Sequence, residues 1–480
     1  MNSEKEPAPA FNQGFRQMLA KLPSRVRSEA REAYTLFIQN PRHNCNSFPM
    51  NKETLKYLLA DFHEKPFPDA FNRKVALPLD PKKIITVVGI RRSGKTYLLY
   101  LTMRRLTERG LDKRNIIYLN FEDDRLFPVR LSEMDLILKA YHELYPDKLE
   151  EEKVLFLDEI QQIPDWEKYI RRIYDTESVH VYLTGSSSKT ISRDISTTLR
   201  GRAIHYELFP LSFGECLDFK GIEIKRYSTA TESRMLHALH EYLQWGGFPE
   251  VVMEEDPHLR WKILQEYADL ILYKDLIEQY GIKNQYLLKY LLKHFMTNPS
   301  DLVSINKLYN DLKSQGVSLS KGSLYEYIEY LQAAYILFST SKYSRSLRVR
   351  TQNPSKYYIV DTGLTRIFTP NRGRDMGKKL ENAIFLYLRT QWNIHDISYY
   401  KNQFEIDFFY DEAASRHLIN VSYSVQDMDT AGREVRGLTN VKKAYPDASD
   451  ALVLNDWDPN LIPETIRVIP AWQFLLFGFK

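Results

Sequence analysis

Between Gly89 and Thr96 the chain carries the residue types that grip a phosphate. Gly89-Ile90-Arg91-Arg92-Ser93-Gly94-Lys95-Thr96 is a full G-x-x-x-x-G-K-S/T match. Glycines let consecutive backbone N–H groups curl around an anion, and the helix that follows adds the positive pole of its dipole. Lys95 has the length to reach β- and γ-phosphates, and the Thr96 hydroxyl suits Mg2+. Gly89, Arg91, Arg92, Ser93, Gly94 and Tyr97 complete the expected nucleotide-binding set. Further on, VLFLDEI at 154–160 ends four apolar residues with Asp158-Glu159. An acidic pair at the tip of a buried strand is costly unless a cation or water meets it. Asp158 therefore stands where the Mg2+ hydration shell is held, and Glu159 where a base orients the attacking water. The stretch Leu183-Thr184-Gly185-Ser186-Ser187-Ser188 adds hydroxyls at another strand end. Ser186, then Thr184, are the candidates to sense the γ-phosphate or the water, while Ser187 and Ser188 suit helix caps equally well. In Arg200-Gly201-Arg202 one arginine, Arg202 by preference, either neutralises transition-state charge, in cis or on a neighbouring subunit, or faces solvent.

These groups need a frame. Ile84–Val88 is an apolar β-branched run, and Leu98, Leu99, Leu101 and Leu106 recur at helical spacing after the glycine-rich loop. A helix at 51–63 and a proline-marked passage (Pro66, Pro68, Pro78, Pro81) lead in. Strands at 115–121, 154–160, 180–186 and 204–210 alternate with helices at 134–145 and Trp166–Tyr174. Such alternation predicts an α/β core, a parallel sheet with helices on both faces and ligands at the strand C-terminal ends. At 480 residues there is chain for about three domains. Charged residues make 27% and hydrophobic ones 43%, the balance of a soluble globular protein. A net charge of +4 is too small to name a nucleic-acid partner. Cys45 and Cys216 cannot build a disulfide framework or a zinc site, which suits a reducing cytosol. No apolar run approaches membrane-spanning length, so a cytoplasmic location is expected.

Together GIRRSGKT, FLDEIQQIPDWEKYIRRIYD, YLTGSSSKT, GRAIHYELFPLSFGECL and YLQWGGFPEVV resemble a bacterial and archaeal AAA+ ATPase family, from about Met50 to the C-terminus. Its members pair a P-loop core with a C-terminal domain of unknown function. The resemblance implies ATP as ligand, Mg2+ and hydrolysis, with Lys95, Thr96, Asp158 and Glu159 as the working residues.

The remaining segments divide as follows: 1–49 a helical extension, 50–214 the ATPase core, 215–283 a helical lid and connector, 284–375 a winged helix-turn-helix, 376–480 a nuclease-like domain. In the lid, helix 232–245 stops at Gly246-Gly247-Phe248-Pro249, and a long helix over 258–280 follows. Residues 285–360 read as three helices and two strands, the order of a winged helix. Its tip holds Lys342, Arg345, Arg348, Arg350 and Lys356 without an acid, suited to DNA phosphates, with Lys321 and Ser323 opening the recognition helix. Glu326 and Glu329 on that helix leave a protein partner open instead. In the last block Glu405 and Asp407 share one strand face, and Glu381 lies on the helix before them. The arrangement resembles the PD-(D/E)XK restriction-endonuclease fold, which implies a Mg2+ site. The next strand reads Asn420-Val421-Ser422 where that fold has Glu/Gln-x-Lys, so a degenerate domain used for docking or DNA binding is expected over an ATP-controlled nuclease. FRQMLAKLPSRVRSEAREAYTLFIQNPRHNCNSF in the first 49 residues resembles the helical hairpin of RelE-type toxins. The catalytic sheet of those toxins does not follow, and no catalysis is assigned to it.

Overall fold

The computed structural model describes residues 50–186, 199, 201–224, 229–369, 375–412 and 415–479. The expected hairpin in 1–49, Ser187, Ser188 and Arg200 lie outside the described residues.

The first half is built around a strand buried on both faces. Helix α1 (Lys52–Glu64) begins where the Asn51 side chain accepts the Thr54 N–H at 2.8 Å. β1 (Ile84–Val88) follows, then α2 (Lys95–Glu108), β2 (Ile116–Asn120), α3 (Asp135–Leu144) and β3 (Lys153–Asp158). α4 (Trp166–Thr176), β4 (Val179–Gly185) and β5 (Ala203–Glu207) complete the unit. The sheet order is β2-β3-β4-β1-β5 with every neighbour parallel. Alternate side chains enter opposite cores: Ile84, Val88, Leu155 and Leu157 one, Ile85, Val87, Val154 and Phe156 the other. That is the period of two expected of a strand covered by helices on both sides. β1 and β3 therefore end at the same edge of the sheet, which brings the glycine-rich loop and the acidic pair together.

The second half opens with α5 (Phe213–Phe219), started by a capping box between Ser212 and Glu215. α6 (Thr229–Trp245), α7 (Pro249–Met253) and α8 (Pro257–Leu270) follow, and α8 runs on into a π-helical stretch, Ile271–Glu278. Next come α9 (Gln285–Thr297), β6 (Leu302–Val303), α10 (Ile305–Ser314), α11 (Lys321–Ala333), β7 (Leu337–Lys342), α12 (Leu347–Gln352) and β8 (Ser355–Ile359). The chain finishes with α13 (Met376–Gln391), β9 (Ile397–Lys401), β10 (Glu405–Glu412), β11 (Ser415–Val425), α14 (Met428–Ala444), β12 (Ser449–Trp457), β13 (Val468–Pro470) and α15 (Ala471–Phe477).

Two expectations change here. The boundary at 375 falls inside one sheet of order β13-β12-β11-β10-β9-β7-β8-β6, because β7 pairs with β9 through Ser341–Ser398 and Lys342–Tyr399. A free edge of β7 would expose unpaired backbone groups, and β9 covers it. The basic segment between β7 and β8 is not a plain wing tip either: it holds α12, capped by Ser346.

Candidate functional site

The glycine-rich loop owes its shape to residues that tolerate positive φ. Gly89 has φ 152°, and a Cβ there would lie 2.2 Å from the Leu208 carbonyl oxygen. Arg92 and Gly94 take φ of 67° and 94°, after which α2 starts at Lys95. The loop thus delivers backbone N–H groups to the helix N-terminus. Lys95 is buried, its Nζ donating to the carbonyls of Gly89 and Ile90 at 3.2 Å each and lying 3.6 Å from Glu159 Oε1. From the side, Arg73 Nη1 binds the Ser93 carbonyl at 2.8 Å, and its Nε is fixed by Glu215 at 2.9 Å.

Asp158, at the end of β3, is fully buried. Oδ2 accepts from the Thr96 hydroxyl at 2.7 Å and from Tyr118 at 3.3 Å, and Oδ1 accepts from Thr184. Burial pushes this carboxyl up from its ordinary value, the charge of Glu159 adds to that, and the two threonine hydroxyls pull it back. Glu159 sits at φ 53°, a left-handed conformation that is strained for a non-glycine residue. Its N–H is held by Thr184 Oγ1 at 2.9 Å, and Gln161 donates to its Oε2. Burial works against its charge, but Lys95 and Gln161 hold it below the usual carboxylate range.

Thr96 and Asp158 are the two protein groups that fit Mg2+, one hydroxyl and one carboxylate already in contact. Among the described residues no cluster of three or more His, Cys, Asp or Glu side chains suits a metal ion. Mg2+ is commonly held by one or two protein oxygens with substrate phosphates and water completing the shell, so the donor set fits a nucleotide-borne ion.

The site opens into a cavity of about 780 Å³ whose lining includes Phe71, Arg92, Lys95, Tyr97, Phe219 and Tyr267. That is the size range of a small-molecule site. Phe71 and Phe219 stack at 4.4 Å. Arg92 lies 5.7 Å over the Tyr267 ring, and Tyr97 is half exposed at the mouth. Arg91 also lines the cavity. Its Nε bonds Asp275 at 3.1 Å on the π-helical stretch and its Nη1 bonds Glu122 at 2.5 Å. Burial opposes charge on both Arg91 and Asp275; the guanidinium is held protonated by Asp275 and Glu122, while Asp275 ends above its ordinary value.

Of the sequence candidates, Gly89, Arg91, Arg92, Ser93, Gly94, Lys95, Thr96, Tyr97, Asp158 and Glu159 converge at this edge. Ser186 reaches it only through Gln161, 3.2 Å from its Oγ, whereas Thr184 touches both acidic residues directly. Arg202 does not belong here within one chain. Its carbonyl bonds the N–H of Ile84 at the opposite end of β1, a strand length of roughly 15 Å away, and its guanidinium is bound by Asp175. Arg345, Arg348 and Arg350 are exposed on and beside α12 and Lys342 is half-buried, but Lys356 is buried and faces the C-terminal acids instead. Sequence reasoning missed Arg73, Tyr118, Gln161 and Asp275; only Gln161, two residues past Glu159, lay close enough along the chain to be found.

A family model described as an AAA domain matches residues 81–217, and one described as a domain of unknown function matches 236–375. The uncharacterized protein MJ1544 of Methanocaldococcus jannaschii is 32% identical over 424 residues, covering 84% of this chain and 91% of its own length. An uncharacterized protein of Haemophilus influenzae is 29% identical over 76% of this chain and 88% of its own length. Among solved structures, the Aeropyrum pernix ORC1 protein in complex with DNA aligns with 68% of this chain and 94% of its own at 14% identity, with a TM-score of 0.28.

Proposed function

Given that the chain belongs to the family of the Methanocaldococcus jannaschii protein MJ1544 and matches an AAA domain over residues 81–217, we propose that it binds and hydrolyses ATP and passes its nucleotide state to the C-terminal half. The observation that carries this reading is the convergence of Lys95, Thr96, Asp158 and Glu159 in one network at the sheet edge. Lys95 and the loop N–H groups take the β- and γ-phosphates, with Arg92 at the rim. Thr96 and Asp158 would hold Mg2+, which would supply charge neutralisation. Glu159 accepts a hydrogen bond from the attacking water and draws its proton as the oxygen attacks the γ-phosphorus. The bond from that phosphorus to the β,γ-bridging oxygen breaks, and ADP leaves with the electron pair. Thr184 fixes the backbone of Glu159 and the rotamer of Asp158, and Ser186 acts on the pair through Gln161. No arginine finger is assigned.

The route to the second half is short. Pro249 and Glu250 line the nucleotide cavity, and in the same turn the Gly247 N–H bonds Asp361 Oδ2 at 2.6 Å beyond β8. A change at the phosphates therefore has a rigid path to the sheet that begins with β6. DNA is the proposed target of that half, supported by exposed Arg345, Arg348 and Arg350 beside β7. Titration with ATP and Mg2+ tests the binding step. The wild type and Glu159→Gln should bind alike, whereas Lys95→Ala should weaken binding at least about 100-fold through loss of the phosphate contact. Unchanged affinity in Lys95→Ala would remove the reading.

A further inference from the structure

The nuclease-like resemblance implies a divalent metal between Glu381, Glu405 and Asp407. The residues found there do not fit one. Lys356, brought in from β8, is 4% exposed and points its ammonium into the carboxylates. Nζ lies 2.7 Å from Asp407 Oδ1, 3.0 Å from Glu381 Oε1 and 3.7 Å from Glu405 Oε1. We propose that the Lys356 ammonium is the resident cation of this acidic site and that the site takes no divalent metal.

Three features carry it. First, the ammonium hydrogen-bonds Asp407 and Glu381 at N–H to oxygen spacing and ion-pairs with Glu405 beyond that range, whereas Mg2+ draws its oxygens in to about 2.0–2.1 Å in an octahedron. Second, several of these carboxylate oxygens also accept from other donors. The Tyr358 hydroxyl shares Glu381 Oε1 at 3.0 Å, and the Val421 N–H takes Asp407 Oδ2 at 2.9 Å. Asn420 accepts the Asp407 N–H at 3.3 Å and turns its amide N–H to Glu434 at 2.8 Å, so the residue replacing an acid ligand is itself spent on structure. Third, Lys356 is not a free arm. It lies in the ladder, opposite Leu302 of β6 and Thr340 of β7, so its backbone cannot withdraw without breaking the sheet. Its ammonium also links β8 to α13 and β10, across the boundary that the β7–β9 pairing closes. This inference does not depend on the ATPase reading.

Mn2+, detected by its electron paramagnetic resonance, is the probe, added to the full chain without nucleotide. Wild type and Asp407→Asn should give superimposable binding curves, since any ion at the P-loop contributes equally to both. Lys356→Met, checked for folding by circular dichroism, should gain one Mn2+ site at least tenfold tighter than any in the wild type, lost again in Lys356→Met/Asp407→Asn. A wild-type site that Asp407→Asn abolishes overturns the proposal. So does a folded Lys356→Met that gains nothing. If Lys356→Met does not fold, the wild-type and Asp407→Asn pair decides alone. Plasmid cleavage in Mg2+ by the wild type, lost in Asp407→Asn, would equally refute it.

Discussion

Thr184 joins two residues whose jobs differ. Its hydroxyl donates to Asp158 and accepts the N–H of Glu159, so a single side chain sets both the Asp158 carboxylate and the strained turn at Glu159. Removing such a support usually costs 10–100-fold in activity while leaving the first contacts in place. Thr184→Ala should therefore lower kcat by roughly 10–100-fold with ATP affinity changed less than about threefold, read from paired turnover and binding assays. Loss of binding in parallel would make Thr184 a structural residue only. At this scale Gly89–Thr96 and Asp158-Glu159 were legible because their chemistry needs contiguous residue types. Their supports were not. Arg91 and its partner Asp275 lie 184 positions apart, and Arg73 and Glu215 lie 142 apart. Arg202 is set aside only as an in-cis group, because a sequence shows that an arginine neighbours a strand, not which end of the sheet it occupies.

Between α6 and α7 the glycines of Gly246-Gly247-Phe248-Pro249 stop a helix, as expected from sequence, and also make room. A Cβ on Gly246 would sit 1.8 Å from Asp361 Oδ1, and one on Gly247 would sit 2.1 Å from the Leu211 carbonyl oxygen. Asp361 is buried there with two backbone N–H donors, Gly247 and Gly363. Burial pushes its carboxyl from 3.8 up to about 7 against the pull of those donors. A raised folded value means the native state holds the proton longer than the unfolded chain does. The contribution to stability is complete below pH 3.8 and is lost as pH rises to about 7, at most about 1.4 kcal/mol per pH unit. Asp361→Asn should therefore flatten the fall in Tm between pH 4 and 7, whatever its Tm at any one pH. The slope should not vanish, because Glu381, pushed up to about 8, titrates with the same sign. An unaltered slope would show that Asp361 stays ionised. Most helices and strands were readable from periodicity. The π-helical stretch after Leu270 was not, since its pattern continues that of α8 and only the pull of Asp275 toward Arg91 marks it.

Across the whole molecule the two halves meet through specific contacts. Arg389 of α13 pairs with Glu207 of β5, and Phe209 meets Phe338 at 5.6 Å between ring centres. Sequence drew separate modules at 284–375 and 376–480 because each has its own helices and strands. It could not show that β7 would find β9, a pairing set by sheet edges rather than by local pattern. The arginines of the α12 segment remain exposed on this joined sheet. Replacing Arg345, Arg348 and Arg350 with Gln should weaken binding to duplex DNA across all sequences. The magnitude of the log–log salt slope should drop by roughly 2–3, about 0.9 for each lost phosphate contact. A slope that does not change would point to a protein partner for this face.

The central claim is hydrolysis at the edge shared by β1 and β3. Multiple-turnover phosphate release from ATP and Mg2+ tests it most directly, with the wild type, Lys95→Ala and Glu159→Gln run side by side. The account predicts release beyond one equivalent by the wild type, at least about 100-fold slower release by Glu159→Gln despite full ATP binding, and none by Lys95→Ala. A wild-type rate preserved in Glu159→Gln, or no turnover by the wild type with or without DNA, would contradict it.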